Sequence, residues 1–222
     1  AMTGQTGLAE TRSFDAGRIQ VRLELEPGHS ILLRTFDRRD VQGPAWSWLT
    51  AASDSLALPG PWQVQFVEGG PALPRTYETA ALQSWTRNGD PEAERFAGTA
   101  VFRTDFEAPP GEGSWLLDLG VVCCSARVRL NGAQIGRVVM PPYRLALPSL
   151  QPGRNRLEVE VTNLAANRIR DLDRRQVPWR VFHDINLVNI KYRPFDASDW
   201  PVLDSGLLGP VVLRRIDETQ PR

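Results

Sequence analysis

The sequence predicts an all-β protein built as an antiparallel sandwich, and three observations support this prediction. Residues 101–106 and 157–161 alternate apolar with polar side chains, the period of two that is typical of a strand with one buried face. Asn131-Gly132 separates two such runs, and both residue types tolerate a positive φ, which indicates a hairpin turn. No helical periodicity interrupts residues 96–163, so an α/β fold is disfavoured.

A β-hairpin is expected ahead of the sandwich. Residues 18–36 alternate apolar and polar side chains on both sides of Pro27-Gly28, so a turn at residues 26–29 would join two strands. Residues 1–16 are small and polar, and we expect them to be poorly ordered.

The strands of the sandwich are separated by turn residues. Trp62, Val64 and Phe66 alternate with glutamines, which predicts a strand that points these three side chains into the core. The residues that follow at 69–74 are rich in glycine and proline and end any regular element. Residues 205–213 are expected to form the final turn and strand.

These elements divide the chain into two parts. Residues 1–45 are expected to hold the N-terminal tail, the hairpin and a charged linker that together end a preceding unit. Residues 46–222 are expected to form the sandwich, with a long insertion at residues 164–205. Within the insertion, residues 164–175 are too charged for a core strand and too irregular for a helix prediction. Long loops on a β-scaffold are where function tends to sit.

The composition excludes two classes of partner. The 222 residues include 26 basic and 26 acidic side chains, so the formal net charge is zero and nothing favours nucleic acid or an anionic membrane. No apolar run of about 18 residues could span a membrane. Cys123 and Cys124 are adjacent, and we expect them to be reduced thiols in or near the core.

The start of the chain indicates a piece of a longer protein. No basic, apolar and small-residue signal peptide opens it, and Ala1-Met2 is typical of a cloning remnant before an internal start. A periplasmic or extracellular location would follow if the parent protein carries a signal peptide.

Several segments carry a resemblance to known families. One set is Phe96-Ala97-Gly98-Thr99-Ala100, Leu117-Asp118-Leu119-Gly120, Val128-Arg129-Leu130-Asn131-Gly132 and Leu157-Glu158-Val159-Glu160-Val161-Thr162-Asn163. It resembles the sugar-binding jelly roll of glycoside hydrolase family 2, a galactose-binding-domain-like sandwich, over residues 60–215. A closer resemblance is to the C-terminal part of family 106 α-L-rhamnosidases. It is carried by residues 27–30, 69–74, 84–86, 167–171 and 205–211.

The resemblance implies a jelly-roll β-sandwich in a carbohydrate-active context, without catalysis by this chain. Such enzymes carry their paired carboxylates on a (β/α)₈ barrel of about 250 residues. No alternation of strands and helices of that length occurs in this sequence. The partners implied are a glycan, rhamnose-containing in the rhamnosidase case, and the catalytic barrel of a parent enzyme.

Residues that could act in catalysis or bind a metal show no organised pattern. Glycoside hydrolysis needs two carboxylates at a controlled separation, and the loop carboxylates here show no pairing in sequence. His29 and His183 are far apart and lack a metal-ligand spacing. A structural calcium ion stays open, although no loop has a recognisable calcium spacing. We assign no catalytic residue and no certain cofactor.

A sugar site needs an aromatic platform for the apolar face of the ring and a rim of planar polar groups. The candidates are Trp179, Trp200 and Tyr143 for the platform and Arg168, Arg170 and Asp171 for the rim. Two plainer interpretations compete with this one. Trp62, Trp85, Trp115 and Trp179 could fill the sandwich core. The charges of residues 167–175 could pair with one another and fix the insertion in place.

Three functions stay open from the sequence. The leading interpretation is a non-catalytic carbohydrate-binding or structural accessory domain of a glycoside hydrolase, most like an α-L-rhamnosidase. The alternatives are a stand-alone carbohydrate-binding module and a small glycosidase or lyase in its own right.

Overall fold

The computed structural model of the protein describes residues 6–15, 17–25, 27–28, 30–37, 39–46, 50–110, 113–147, 149–181 and 193–217. Its strands in chain order are β1 (Thr11–Phe14), β2 (Arg18–Val21), β3 (Thr50–Ala57), β4 (Trp62–Gly70), β5 (Tyr77–Thr79), β6 (Ala97–Glu107), β7 (Ser114–Asp118), β8 (Val121–Cys123), β9 (Ser125–Leu130), β10 (Ala133–Val138), β11 (Arg144–Leu147), β12 (Arg154–Thr162), β13 (Gly206–Gly209) and β14 (Val212–Asp217). Its helices are a 3₁₀ turn (Trp85–Arg87), α1 (Pro91–Glu94) and α2 (Ala166–Arg174).

Two antiparallel sheets form the body of the fold. The larger sheet has six strands in the order β10-β9-β12-β6-β4-β5, and the smaller has four in the order β11-β7-β14-β3. Buried side chains from both sheets form one hydrophobic cluster between them. The predicted all-β sandwich is therefore confirmed, and the described residues between β6 and β12 contain no helix.

The hydrophobic core contains the aromatic residues that the alternating pattern indicated. Trp62 and Trp85 are fully buried and Trp115 nearly so. The ring of Phe66 packs edge-on against Trp85 and Phe96, with centroid distances of 5.3 and 5.0 Å. Burying a large apolar side chain of this kind contributes about 1.5–3 kcal/mol.

The turn predicted at Asn131-Gly132 is confirmed. These residues join β9 to β10 and have φ values of 52° and 82°. The Asn131 carboxamide accepts a hydrogen bond from the backbone N–H of Arg156 at 2.8 Å and donates to Asn155 Oδ1 at 2.9 Å. The turn is thereby tied to β12, the next strand of the sheet.

The N-terminal hairpin exists, but the prediction of its position is wrong. Strands β1 and β2 pair with each other through a turn that includes Asp15 and Gly17, both with positive φ. The described residues between 22 and 36 form no strand, and Glu26 and His29 of the predicted turn lie outside the described residues. The Asp15-to-Gly17 turn closes the hairpin earlier, so β1 falls within the tail that was expected to be poorly ordered.

The prediction of an irregular segment at residues 164–175 is also wrong. Helix α2 spans most of it. Arg168 and Arg175 pair with Asp171 at spacings of three and four residues, which places these side chains on one helix face. Ion pairs hold this helix where an apolar stripe would be expected.

Two smaller observations complete the fold. Cys123 and Cys124 are free, half-buried thiols, in keeping with the expectation from sequence, and burial raises the pKa of Cys123. In the part of the chain that the structure describes, no helix has the length and apolarity needed to cross a membrane.

Candidate functional site

The candidate site is the region where α2 and residues 193–205 pack beside the start of β6 and the end of β12. Asn167, on α2, is 3% exposed and lies in the centre of this region. Its Nδ2 donates to the Leu203 carbonyl at 2.8 Å, and its Oδ1 accepts from the Leu203 N–H at 2.8 Å. One side-chain amide therefore substitutes for a strand partner and fixes the segment that leads to β13.

A second amide, which is half-buried, continues the same network into the sheet. Asn163, just after β12, donates to the Phe96 carbonyl at 2.9 Å and to Ser205 Oγ at 3.0 Å. Its Oδ1 accepts from the Gly98 N–H at 2.9 Å. The Ser205 N–H in turn donates to Ser84 Oγ at 2.9 Å. Because Ser84 and Ser205 are buried and each of these polar groups is hydrogen-bonded, the network holds the region in one arrangement.

The rim candidates on α2 are engaged with other protein groups. Asp171 accepts from Arg168 at 2.8 Å and lies within 3.7 Å of Arg95, beside α1. Arg170 Nε donates to the Trp200 carbonyl at 2.7 Å, and its Nη1 lies 3.5 Å from Glu94 Oε1. These contacts are the ones expected if the charged side chains of residues 167–175 hold the insertion in place rather than bind a sugar.

Asp173, near the end of α2, is the anchor of the segment that follows. Its Oδ1 accepts from Trp179 Nε1 at 2.7 Å and from Arg180 at 3.0 Å, and its Oδ2 accepts from the Ala197 N–H at 2.9 Å. Its side chain is only 7% exposed. Burial alone would raise the pKa of Asp173, but these hydrogen bonds and the Arg180 charge outweigh burial and lower it.

Three aromatic side chains form an aromatic ridge beside this anchor: Trp179, Phe195 and Trp200. The Phe195 ring stands edge-on between the other two, with centroid distances of 6.1 Å to Trp179 and 5.5 Å to Trp200. The Arg180 guanidinium lies 5.5 Å from the Trp179 ring and 5.6 Å from the Phe195 ring. Trp200 is 38% exposed, so part of its ring offers an apolar surface to solvent.

Five of the six sequence candidates lie on α2 or in the segment anchored to it. On the helix are Arg168, Arg170 and Asp171, and in the anchored segment are Trp179 and Trp200.

Tyr143 lies in a different setting. Its hydroxyl donates to the Cys124 carbonyl at 3.2 Å, and its ring packs against the hydrophobic core. Burial, more than any neighbouring charge, raises the pKa of Tyr143. Trp179 is half-buried and lies outside the core cluster, so the interpretation that placed it with Trp62, Trp85 and Trp115 is not supported.

Sequence reasoning missed two residues of this region: Phe195, the middle ring of the aromatic ridge, and Arg180, whose guanidinium lies over the Trp179 and Phe195 rings. Arg180 directly follows Trp179, and Phe195 precedes Trp200 by five positions. These short separations were the available signal, but the residues show no regular period that would indicate a shared surface.

A charged cleft of about 330 Å³ lies between α1 and α2. Its lining residues are Pro91, Glu92, Glu94, Arg95, Asn167 and Asp171. Each carboxylate in it has an arginine partner: Arg95 for Glu92 and Asp171, and Arg170 for Glu94. Among the described residues no three His, Cys, Asp or Glu side chains are grouped to hold a metal ion.

The known proteins that this chain is similar to are larger glycoside hydrolases. No protein-family model matches the chain. A protein named "Putative beta-glucuronidase" from Formosa agariphila is 30% identical over 73% of this chain, which corresponds to 16% of that protein. The solved rhamnosidase from Novosphingobium sp. PP1Y is 30% identical with a TM-score of 0.58, over 81% of this chain and 16% of that chain.

A more remote likeness is a GH2 β-galacturonidase from Eisenbergiella tayi, with 20% identity and a TM-score of 0.48 over 73% of this chain and 24% of that chain. This last likeness carries no functional information. The chain is thus a β-sandwich similar to one part of larger glycoside hydrolases. It spans 16% of the length of the Formosa and Novosphingobium proteins.

Proposed function

We propose that this chain is a non-catalytic accessory domain of a glycoside hydrolase, most like an α-L-rhamnosidase. The observation that carries the proposal is the match to the Novosphingobium rhamnosidase. It covers 81% of this chain at 30% identity and only 16% of the enzyme. A β-sandwich that makes up a small part of a large enzyme is what we expect of a unit that supports a separate catalytic barrel.

The carboxylates of the charged cleft support a non-catalytic role. A glycosidase needs one carboxylic acid with a raised pKa and a second carboxylate set across the sugar bond from it. Glu92, Glu94 and Asp171 instead each face an arginine. Each of these carboxylates is therefore already engaged by an arginine of the protein.

The aromatic ridge supports contact with a glycan. The exposed part of Trp200 can stack on the apolar face of a sugar ring, and a 6-deoxy sugar such as rhamnose adds a methyl group to that face. Arg170 holds the backbone of Trp200 in place through its carbonyl. The platform is therefore tied to α2 by this hydrogen bond.

We also propose that residues 1–45 belong to the end of a preceding unit and residues 46–222 to the sandwich with its insertion at 164–205. Strands β1 and β2 pair only with each other in the described part of the chain. Ile19 is 67% exposed and Leu32 85% exposed, and the hydrophobic core cluster contains none of the residues before Leu58 whose burial the structure describes. Exposed apolar side chains of this kind indicate contact with a neighbouring unit.

The test is binding of the purified chain to a glycan array that includes rhamnose-containing oligosaccharides. Specific, saturable binding is expected, and Trp200→Ala should abolish it while leaving the melting temperature nearly unchanged. The exposed Arg175→Ala is the matched control and should bind like the wild type. A large loss of stability in Trp200→Ala would show that Trp200 serves packing.

A second assay addresses catalysis. The purified chain is expected to leave nitrophenyl glycosides, including the α-L-rhamnoside, unhydrolysed. Turnover that is lost in a carboxylate variant such as Glu94→Gln would contradict the proposed accessory role.

A further inference from the structure

A second cleft lies on the outer face of the six-stranded sheet, on strands β4, β5, β6 and β12. Its volume is about 520 Å³, within the range of small-ligand sites. Its lining residues are Pro61, Gln63, Glu78, Arg103, Thr104, Asp105, Phe106, Glu107, Arg154 and Arg156. The aromatic ridge contributes none of them.

The cleft exists because two neighbouring strands end at different levels. The β4–β6 pairing ends at Gln63 and Arg103, whereas β6 continues beside β12 as far as Glu107. Residues 104–107 therefore have a strand neighbour on one side only, among the described residues. Thr104 Oγ1 donates to the Pro61 carbonyl at 3.0 Å and closes one end of the gap. A strand edge of this kind presents backbone N–H and C=O groups to a ligand.

Two arginines converge on one carboxylate at the side of the cleft. Arg154 Nη2 lies 2.5 Å from Asp105 Oδ2, and Arg156 reaches Asp105 Oδ1 through Nε at 2.9 Å and Oδ2 through Nη2 at 3.2 Å. Two guanidiniums thus share the Asp105 carboxylate, in a cleft whose lining carries three arginines and three carboxylates. The side chains of Arg154 and Arg156 are 70% and 59% exposed, so each guanidinium keeps N–H donors that face solvent.

We propose that this cleft binds an acidic sugar residue, with the sugar carboxylate on Arg154 and Arg156. A guanidinium matches the planar geometry of a carboxylate and can bind it through two parallel hydrogen bonds. The rest of the cleft is lined by Glu78 and Glu107, whose carboxylates accept hydrogen bonds from ring hydroxyls, and by Gln63, whose carboxamide accepts or donates. The site is separate from the aromatic ridge and does not rest on it.

A sugar fits the cleft better than an acidic peptide that adds a strand to the edge of β6. The uncovered part of β6 covers residues 104–107, fewer than the five or six residues of a typical strand. Pro61 lies at the end of this gap and has no N–H to continue a ladder. A compact ligand with hydroxyl groups and one carboxylate uses the same groups without that obstruction.

The experiment is a calorimetric titration of the full chain with trigalacturonic acid, at low and high salt. Binding is expected at low salt, and it should weaken as salt rises because the contacting charges are exposed. The double variant Arg154→Ala/Arg156→Ala should bind at least about tenfold more weakly, the effect of losing charge-assisted hydrogen bonds. Arg12→Ala, an exposed arginine on β1, is the matched control and should bind like the wild type.

Asp105→Asn distinguishes a ligand site from an ion pair that only supports the fold. Removing the negative charge that occupies both guanidiniums should strengthen trigalacturonic acid binding several-fold. No binding by the wild type, equal binding by the double arginine variant, or equal binding of neutral maltotriose would overturn the proposal. So would a preference for a tetraglutamate peptide. Trp200→Ala should leave this binding unchanged, so a failure here and a failure on the glycan array are distinguishable.

Discussion

Asn167 and Leu203 exchange two hydrogen bonds, one from the Asn167 carboxamide to the Leu203 carbonyl and one from the Leu203 N–H to the carboxamide, both 2.8 Å long. This pairing is the one that two strands make with each other, here between a helix side chain and a loop backbone. It joins α2 to the segment that enters β13, although the two are far apart in sequence.

The first prediction tests this pair. Asn167→Ala removes both hydrogen bonds. It leaves the Leu203 N–H without its partner, and the Leu203 carbonyl keeps only the longer hydrogen bond from Ser205 Oγ at 3.4 Å. The expected cost is about 1–3 kcal/mol in the free energy of unfolding, since unsatisfied polar groups are more costly than hydrogen bonds are favourable. Chemical denaturation followed by circular dichroism measures it.

The control for this prediction is Arg175→Ala, whose side chain is 52% exposed at the end of the same helix. It should change stability by less than about 0.5 kcal/mol. Equal stability of Asn167→Ala and the wild type would show that water replaces the carboxamide at no cost.

The second prediction concerns the anchor at Asp173. Asp173→Asn keeps the shape but replaces one acceptor oxygen with a donor group that faces the N–H groups of Trp179, Arg180 or Ala197. We expect a loss of about 1.5–3 kcal/mol, the range for hydrogen bonds to a charged group. Thermal unfolding measures the loss, and the tryptophan emission should shift because the Trp179 indole loses its acceptor.

Asp199→Asn is the matched control, since Asp199 is exposed beside Trp200. It should leave both the melting temperature and the emission unchanged. A melting temperature for Asp173→Asn equal to that of the control would mean that the insertion is held by its other contacts.

The strands were predictable because their burial follows the period of two in the sequence. In β4, Trp62, Val64 and Phe66 are buried while Gln63 and Gln65 are exposed, as the alternation indicated. The hairpin at Asn131-Gly132 was predictable for a related reason, since few residue pairs accept positive φ twice. Local chemistry decides both features.

Helix α2 was not predictable in the same way, because its buried side is polar. Asn167 is its buried residue, and hydrogen bonds hold it where a leucine would normally pack. The spacing of Arg168, Asp171 and Arg175 was the helical signal, but charges at such spacings also occur in irregular loops. The partner of Asn167 lies 36 positions away, so the network could not be read from local sequence.

The candidate site was partly predictable. The sequence indicated Trp179 and Trp200 as aromatic platforms, but only the fold places Phe195 between them. The cleft on the outer face of the six-stranded sheet was not predicted, because Arg154 and Arg156 meet Asp105 only through the register of β6 and β12.

A third prediction concerns the two glycines that oppose each other between β4 and β6. Gly69 and Gly98 are register partners, and a Cβ added to Gly98 would lie 2.1 Å from the Glu68 carbonyl oxygen and 2.6 Å from the Gly69 Cα. Backbone atoms cannot move aside as a flexible side chain can. Gly98→Ala should therefore cost more than about 3 kcal/mol, and low soluble expression is an expected sign of it.

Gly132→Ala separates this steric effect from backbone strain. Gly132 has a φ of 82°, but a Cβ there would meet nothing within 4 Å. Its substitution should cost only about 1–2 kcal/mol, the penalty for a left-handed conformation. Similar losses for both variants, measured by denaturation, would show that the close approach at Gly98 relaxes.

The fourth prediction is a pH dependence that originates at Asp105. Hydrogen bonds from Arg156 and then Arg154 lower the pKa of Asp105 from 3.8 to about 2. A carboxyl group whose pKa is lower in the folded than in the unfolded protein stabilises the fold at pH values above its pKa in the unfolded protein. That contribution is lost as the pH falls from 3.8 towards 2. Because both arginines are exposed and screened by water, we expect a contribution of less than about 1 kcal/mol.

Comparing the wild type with Asp105→Asn across this range isolates the effect. At about pH 6 the wild type should be the more stable of the two, and the difference should shrink towards zero at about pH 2 as Asp105 becomes protonated. Urea unfolding at a series of pH values measures the difference, and added salt should reduce it at the higher pH. A difference that stays constant from pH 6 to 2 would mean that the hydrogen-bond geometry of Asp105, and not its charge, supports the β6–β12 pair.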